Sequence, residues 1–515
     1  MKKLSKFLFW SLLFAAAYTQ SPLYTSNQNQ YLLRGMAAAG VGFLSQDWLV
    51  SIPDTVPVFN SLVEWTYRIF NSGFIFYIYY ALLMGVYLFS LLGIASRLFD
   101  VQQNRTRRWL FMALFITAHS AAIRYAFTLV RSSNWAYILE DGFAGQRMLG
   151  PVFEPSVFAV FLALSVYLYV QRRPIWAVLS AALAATIHPT YLLLAGLLTA
   201  GYLLGIYLEE RKLKKPILIG ILALAAVSPI LIYSIANFWG SSPEAAAAAQ
   251  KILVDFRIPH HADISQWFGK TDAVKILIIL AGLLLVRRSR LFPVMLFVSL
   301  GSAAMILVQV ATGSNTLALL FPWRATILLV PLAVTAIIAS LVQWITRPHP
   351  RLRLQPGLLK VLPWLSVLLI AAVVMAGIAR SVHDFELKNN APEQALFNYI
   401  SGHKNSGQNY LIPLKMQDFR LATGAPAYVD FKSIPYTDAA VPVWYSRVLM
   451  AGEFYQKPGC AHLLKFLDQN RVSNIVVNND PQTNLNCPGV TQVYQDAYYK
   501  LYALDIPTFL NSQVK

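Results

Sequence analysis

Three arginines among scattered glycines are the first residues in this sequence whose types suggest chemistry. Arg124, Arg131 and Arg147 stand with Gly142, Gly145 and Gly150 in one polar stretch that ends in Glu154-Pro155-Ser156. Guanidinium groups match phosphate oxygens bidentately, so the stretch suits a phosphate or diphosphate head group. Glu154 opens an apolar run, where a carboxylate is either a reacting group or a helix cap. His188-Pro189 sits between two short apolar runs. A helix end broken by proline exposes backbone groups to a cavity, and the competing reading is a histidine hydrogen-bonded in a turn. Arg257, His260 and His261 form a basic, titratable cluster with Asp263. Adjacent histidines point in different directions, so sugar or phosphate contact suits them better than a shared metal. Arg324, in Phe321-Pro322-Trp323-Arg324, opens a late apolar run, where a Trp-Arg pair also serves as an interfacial anchor.

The elements that must position these residues follow from composition. The chain has 515 residues, 57% hydrophobic and 13% charged, with a formal charge of +18. A soluble domain carries about a quarter charged residues, so the balance points to a membrane protein. A span takes about 20 apolar residues, and candidate runs lie near 7–19, 74–95, 109–128, 156–171, 174–187, 190–208, 216–237, 273–286, 291–312, 325–345 and 361–379. The runs at 174–187 and 273–286 are short enough to be half-spans or re-entrant. Phe7 to Ala17 also has the basic start and short apolar core of a signal peptide.

Short loops rich in Lys and Arg stay in the cytoplasm. Lys2, Lys3 and Lys6, then Arg97 to Arg108, Arg172-Arg173, Arg211 to Lys215, Arg287 to Arg290 and Arg347 to Lys360 all fall on one side of an 11-span plan. The six whole segments between the runs on that side hold 20 of the 42 basic residues and 3 of the 24 acidic ones, Asp100, Glu209 and Glu210. The basic charge therefore reports orientation against anionic lipid and gives no sign of a nucleic-acid partner. The expected fold is an all-α polytopic membrane domain of about 11 transmembrane helices over residues 1–380, N-terminus inside and C-terminus outside, followed by an extracytoplasmic α/β domain over 381–515. External loops fall at 20–73, 129–155 and 238–272. The setting implied is a bacterial inner membrane.

In the tail, Tyr410–Leu414, Ala427–Phe431, Asn474–Val477, Thr491–Tyr494 and Tyr498–Leu504 read as strands, and segments near 392–400 and 461–469 as helices. Both cysteines of the chain, Cys460 and Cys487, lie here. In an oxidising compartment they pair, and a loop of this size adds about 3 kcal/mol in the chain-entropy model. The alternative is two buried apolar thiols.

The first external loop carries Asn27-Gln28, Tyr31, Met36, Asp47-Trp48 and the Pro53 to Pro57 turn, with a helix expected from about Gln30 to Ala39. In order and approximate spacing this resembles the first extracytoplasmic loop of GT-C superfamily glycosyltransferases, especially the relatives of protein mannosyltransferases and lipid A aminoarabinose transferases. Where that family has an acidic pair, this chain has the neutral amides Asn27-Gln28. An amide cannot act as a general base at neutral pH and is a poor ligand for a divalent cation, so a metal is disfavoured and no other cofactor is specified. The other reading of Asn27 and Gln28 is as helix caps. The motifs Glu154-Pro155-Ser156, His188-Pro189-Thr190-Tyr191, Pro259-His260-His261 and Pro322-Trp323-Arg324 look like those of an uncharacterised bacterial multispanning family grouped with these transferases.

The resemblance implies a membrane glycosyltransferase that moves a sugar from a polyprenyl-phosphate-linked donor to an extracytoplasmic glycan, lipid or protein acceptor. Arg324, with Arg131 or Arg147, would hold the carrier phosphate, and Asp47 or Asp54 would serve the acceptor. Asn27, Gln28, Glu154, His188, Arg257, His260 and His261 would complete substrate contacts. The rivals are a glycolipid transporter or flippase, against which no internal repeat is found, and a non-catalytic envelope-assembly protein, which Asn27-Gln28 favours.

Overall fold

The computed structural model describes residues 2–347, 356–463, 466, 472–480, 483, 485–505 and 507–509. Every apolar run read from the sequence is helical. Among the described residues, six helices are long and apolar enough to cross a membrane, or seven if the bent pair Arg105–Ala118 and Ala121–Val130 is one span. The other four apolar helices, Lys2–Tyr18, Pro155–Val170, Pro174–Ile187 and Lys270–Val286, have 17 residues or fewer. The chain is thus a polytopic α-helical membrane protein with a separate α/β portion.

The run at 109–128 is broken by 54°. Ser120 turns into extended backbone and its hydroxyl accepts from the Ile123 N–H at 3.2 Å, so a new helix starts there. The expected Gln30–Ala39 helix is likewise two pieces, Gln28–Tyr31 and Leu33–Ala38. Arg351 and Arg353 lie outside the described residues, as does part of the helix expected over 461–469.

Two compact units result. The first takes residues 1–20, 76–236 and 253–383, the second 21–75, 237–252 and 384–515. The first loop and part of the third therefore fold with the tail, whereas the sequence alone suggests a division near residue 380.

Within the first unit, 78% of the apolar window in Asn315–Thr346 is buried, against 17% in Lys214–Phe238. The former supplies the core and the latter presents its apolar surface outward, as a lipid-facing helix does. Gly282 lets two helices touch: a Cβ there would stand 2.4 Å from the Ala333 Cβ.

The second unit holds a four-stranded sheet, β1 (Tyr410–Leu411), β2 (Asn474–Asn478), β3 (Val490–Gln495) and β4 (Tyr499–Leu504), in the order β1-β2-β4-β3. β1 runs parallel to β2, with Tyr410 opposite Asn474. The β3–β4 hairpin is antiparallel, with an irregularity between Gln492 and Tyr494. Val476 and Leu501 pack with Leu396, Phe397, Ile400 and Phe419, so helix Gln394–His403 covers this face. Three further helices, Pro57–Phe70, Pro243–Lys251 and Ala440–Gln456, belong to the same unit. Cys460 and Cys487 are joined as a disulfide with their Cα atoms 5.7 Å apart.

The strand expected over Ala427–Phe431 is reduced to a single bridge, Tyr410 to Ala427. Its backbone is used elsewhere: the Ala427 N–H donates to Asp47 Oδ2 at 3.0 Å, and its carbonyl accepts from Arg420 Nη2 at 2.8 Å. The Tyr428 N–H still donates to the Tyr410 carbonyl at 2.8 Å and the Phe431 N–H to that of Leu414 at 3.0 Å, so the segment runs beside β1 without forming a continuous ladder.

Candidate functional site

In the first unit, the polar segment between the broken helix and Pro155 carries Arg131, Glu140, Asp141, Arg147 and Glu154, and neighbouring helices add Arg124, Asp272 and Lys275. Arg124 pairs with Glu140 at 3.1 Å and lies over the Tyr18 ring. Lys275 pairs with Asp141 at 2.9 Å, approaches Asp272 at 3.7 Å and donates to the Gly142 carbonyl at 2.7 Å. The Phe143 N–H donates to Thr326 Oγ1 at 2.8 Å. These bonds fix the segment on helices Lys270–Val286 and Thr326–Thr346. Burial outweighs the Arg124 charge at Glu140 and pushes its carboxyl up to about 7.

Ion pairing sorts the cations by availability. Arg124 and Lys275 are paired with carboxyl groups, whereas Arg324 and Arg147 form no ion pair among the described residues. Arg147 stacks on the Tyr137 ring at 3.7 Å. Arg324 Nε donates to Gln146 Oε1 at 2.8 Å. That bond fixes the amide orientation, and it leaves two buried donors, Arg324 Nη1 and Gln146 Nε2, with no protein acceptor. The guanidinium lies 4.8 Å from the Phe321 ring centroid and 5.9 Å from that of Tyr191. A cleft opens beside it, lined by Thr190, Leu193, Leu194, Leu197, Leu320 and Arg324 among others. Two unspent N–H donors on a cationic pair, next to leucines, have the chemistry to hold an anionic head group that carries an apolar chain.

His188 and Tyr191 extend this patch, with ring centroids 5.1 Å apart. Burial, and then the Arg324 charge, hold the His188 imidazole well below its ordinary pKa, so it is neutral at pH 7. The Tyr191 hydroxyl donates to the Ser156 carbonyl at 2.7 Å. Glu154 is buried and its Oε1 accepts from the Ser156 hydroxyl. It makes no side-chain cap to the helical turn that follows, so capping does not explain it.

Arg131 stands apart: it is exposed, with its guanidinium 5.8 Å from the Trp135 ring. Arg257 is buried at the end of the π-helical turn Ile252–Arg257. His260 is exposed, and His261 Nδ1 is 2.7 Å from the Ala144 carbonyl, which ties the third loop to the same polar segment. Among the described residues, no group of three His, Cys, Asp or Glu side chains could hold a metal ion.

The first-loop candidates lie in the second unit. Asp47 is buried and enclosed. Its Oδ2 meets Arg420 Nε at 2.5 Å and the Ala427 N–H, and its Oδ1 accepts from the Leu49 N–H at 3.0 Å. Arg420 also pairs with Asp430, so one buried guanidinium sits between two carboxylates. The expectation that Asp47 activates an acceptor is corrected accordingly: both its oxygens are committed within the protein, and it serves as a counter-ion. Trp48 beside it lies under the Arg447 guanidinium at 4.3 Å. Asp54 is only half-buried and lines a cleft. Asn27 makes no side-chain cap, and Gln28 is buried with its Oε1 accepting from the Tyr24 N–H at 2.8 Å, so neither caps the helix.

Gln146 and Lys275 escape a reading of the sequence alone. A neutral amide carries no signal of its role, and Lys275 stands near the start of an apolar run, where it reads as a flanking charge.

A family model described as a domain of unknown function (DUF6798) matches residues 391–451. No curated protein sequence matches the chain. Among solved structures, the chain is similar to ArnT from Cupriavidus metallidurans bound to undecaprenyl phosphate, at 12% identity over 98% of each chain with a TM-score of 0.49. It is also similar to the apo state of ArnT from Cupriavidus metallidurans, at 14% identity over 98% of each chain with a TM-score of 0.47.

Proposed function

We propose that this chain is a membrane glycosyltransferase that moves a sugar from a polyprenyl-phosphate-linked donor to an extracytoplasmic acceptor, with its N-terminus inside a bacterial inner membrane and the tail outside. One observation carries the reading: Arg324 Nη1 and Gln146 Nε2 are buried donors without protein acceptors, beside a leucine-lined cleft. A phosphate takes both donors while an isoprenoid chain takes the leucines. The order of Tyr31, Met36, Asp47-Trp48 and the Pro53 to Pro57 turn supports the same class.

In the transfer step, an acceptor hydroxyl oxygen bonds to the anomeric carbon as the bond from that carbon to the phosphate oxygen breaks. The proton of the hydroxyl is released to water, and the polyprenyl phosphate leaves with the bonding pair. Arg324 and Gln146 stabilise the charge that grows on the leaving phosphate, and Arg147 adds a second unpaired cation from the same segment.

Arg324→Ala and Gln146→Leu are each expected to lower sugar transfer about a hundred-fold or more, the scale on which a lost charge-stabilising donor acts. Arg324→Lys should fall between, because an ammonium keeps the charge and loses the bond geometry. Undiminished transfer by Arg324→Ala would remove the assignment.

A further inference from the structure

The second unit contains a cleft of its own, built entirely from first-loop and tail residues. Asp54, Asn60, Arg34, Ser433 and Tyr436 line it, with apolar walls that include Leu49. Its polar groups are unevenly used. Asn60 Nδ2 donates to both Asp54 oxygens at 2.9 Å, which fixes its amide orientation and turns Oδ1 away from Asp54. That Oδ1 is buried and accepts from no protein group. The Ser433 hydroxyl is also buried and has no protein partner. The Tyr436 hydroxyl, at the rim, receives Gln30 Nε2 at 3.1 Å.

The scaffold holds these atoms in place. Asp430 Oδ1 accepts from the Ser433 N–H at 2.7 Å, while its other oxygen pairs with Arg420. Asp54 Oδ1 accepts from the Val56 N–H at 2.9 Å. The Arg34 guanidinium donates to the Val50 carbonyl at 3.1 Å and to that of Ile52. The buried ion triad of Asp47, Arg420 and Asp430 therefore sets the turn that carries Ser433.

We infer that this cleft binds a neutral saccharide through the unspent Asn60 Oδ1 and Ser433 hydroxyl. Desolvated polar atoms without partners are costly, and a ligand that supplies hydroxyl donors and acceptors relieves both. One carboxylate and one guanidinium give the lining no net charge. Asp54 repels a phosphate, and a single carboxylate is too few for a cation. A sugar ring offers hydroxyls to the polar atoms and C–H faces to the apolar wall. Saccharide binding here stands independently of sugar transfer. That the sugar belongs to the acceptor rests on the function proposed above.

The test is binding of methyl glycosides of glucose, galactose, mannose and N-acetylglucosamine to the full-length protein in nanodiscs, without donor, by saturation-transfer NMR and titration. At least one glycoside should bind; Ser433→Ala should weaken it about ten-fold at unchanged melting temperature, and Asn60→Ala, which also gives up the bonds to Asp54, should weaken it by at least as much. Arg324→Ala, in the first unit, should bind it as the wild type does, so that loss of transfer and loss of saccharide binding separate. Ser433→Ala removes only a hydroxyl, so it reports even if Asn60→Ala fails to fold. Two results overturn the inference: no glycoside binds the wild-type protein, as when water alone fills the cleft, or binding is unchanged in Ser433→Ala.

Discussion

Arg420 lies between Asp47 and Asp430 with all three side chains at 1% exposure or less. A buried charge that loses its partner costs about 3–5 kcal/mol, far more than a surface pair contributes. Asp47→Ala is therefore expected to lower the melting temperature sharply, and Asp47→Asn less, since the amide still offers an oxygen to Arg420 and the Ala427 N–H. Normal melting combined with lost activity in Asp47→Asn would instead restore a catalytic role. Glu140 makes a second prediction. Burial raises its carboxyl from the ordinary 4.5 to about 7 in the folded protein. Between those values the native state holds a proton that the unfolded chain has released, so this group's contribution to stability falls as pH rises from about 4.5 to about 7 and recovers on acidification. Glu140→Gln should flatten that part of a melting-temperature profile against pH, and an unaltered slope would show that another group sets it.

At the scale of elements, the first loop is held against the tail by backbone as well as by charge. The Phe43 N–H donates to the Gly424 carbonyl at 2.8 Å, and Gly42 has a φ of +53°, with any Cβ only 2.3 Å from that carbonyl oxygen. Gly42→Ala combines a left-handed conformation with a backbone clash and should destabilise the protein by about 1–3 kcal/mol. A thermal melt that matches the wild type would show that the two segments yield freely. The membrane helices were legible because uninterrupted apolar length is a strong signal. The break at His119-Ser120 was not, because it contains neither Pro nor Gly and depends on one hydroxyl cap. Helix Pro57–Phe70 was also hidden: it is amphipathic, with Trp65 and Ile69 exposed, and lies in a stretch that reads as loop. Around the candidate site, Arg147, Glu154, His188 and Arg324 stand out in the sequence because polar residues flanking apolar runs are few. Their relation to Gln146 depends on a contact across 178 residues, which spacing cannot show.

At the scale of the molecule, each unit has a cleft with a distinct chemistry. The first unit offers unspent cationic donors beside leucines, and the second offers unspent neutral polar atoms. Cleavage of a sugar–phosphate bond on a lipid carrier, as proposed for this chain, is tested most directly by product analysis. Purified protein in nanodiscs would be given a polyprenyl-phosphate donor with a labelled sugar and a cell-envelope fraction as the acceptor source. Label should be joined covalently to the acceptor, with an equal amount of free polyprenyl phosphate, and both products should fall about a hundred-fold or more with Arg324→Ala. Movement of the intact donor across the bilayer, with the label still on its carrier, would contradict that cleavage.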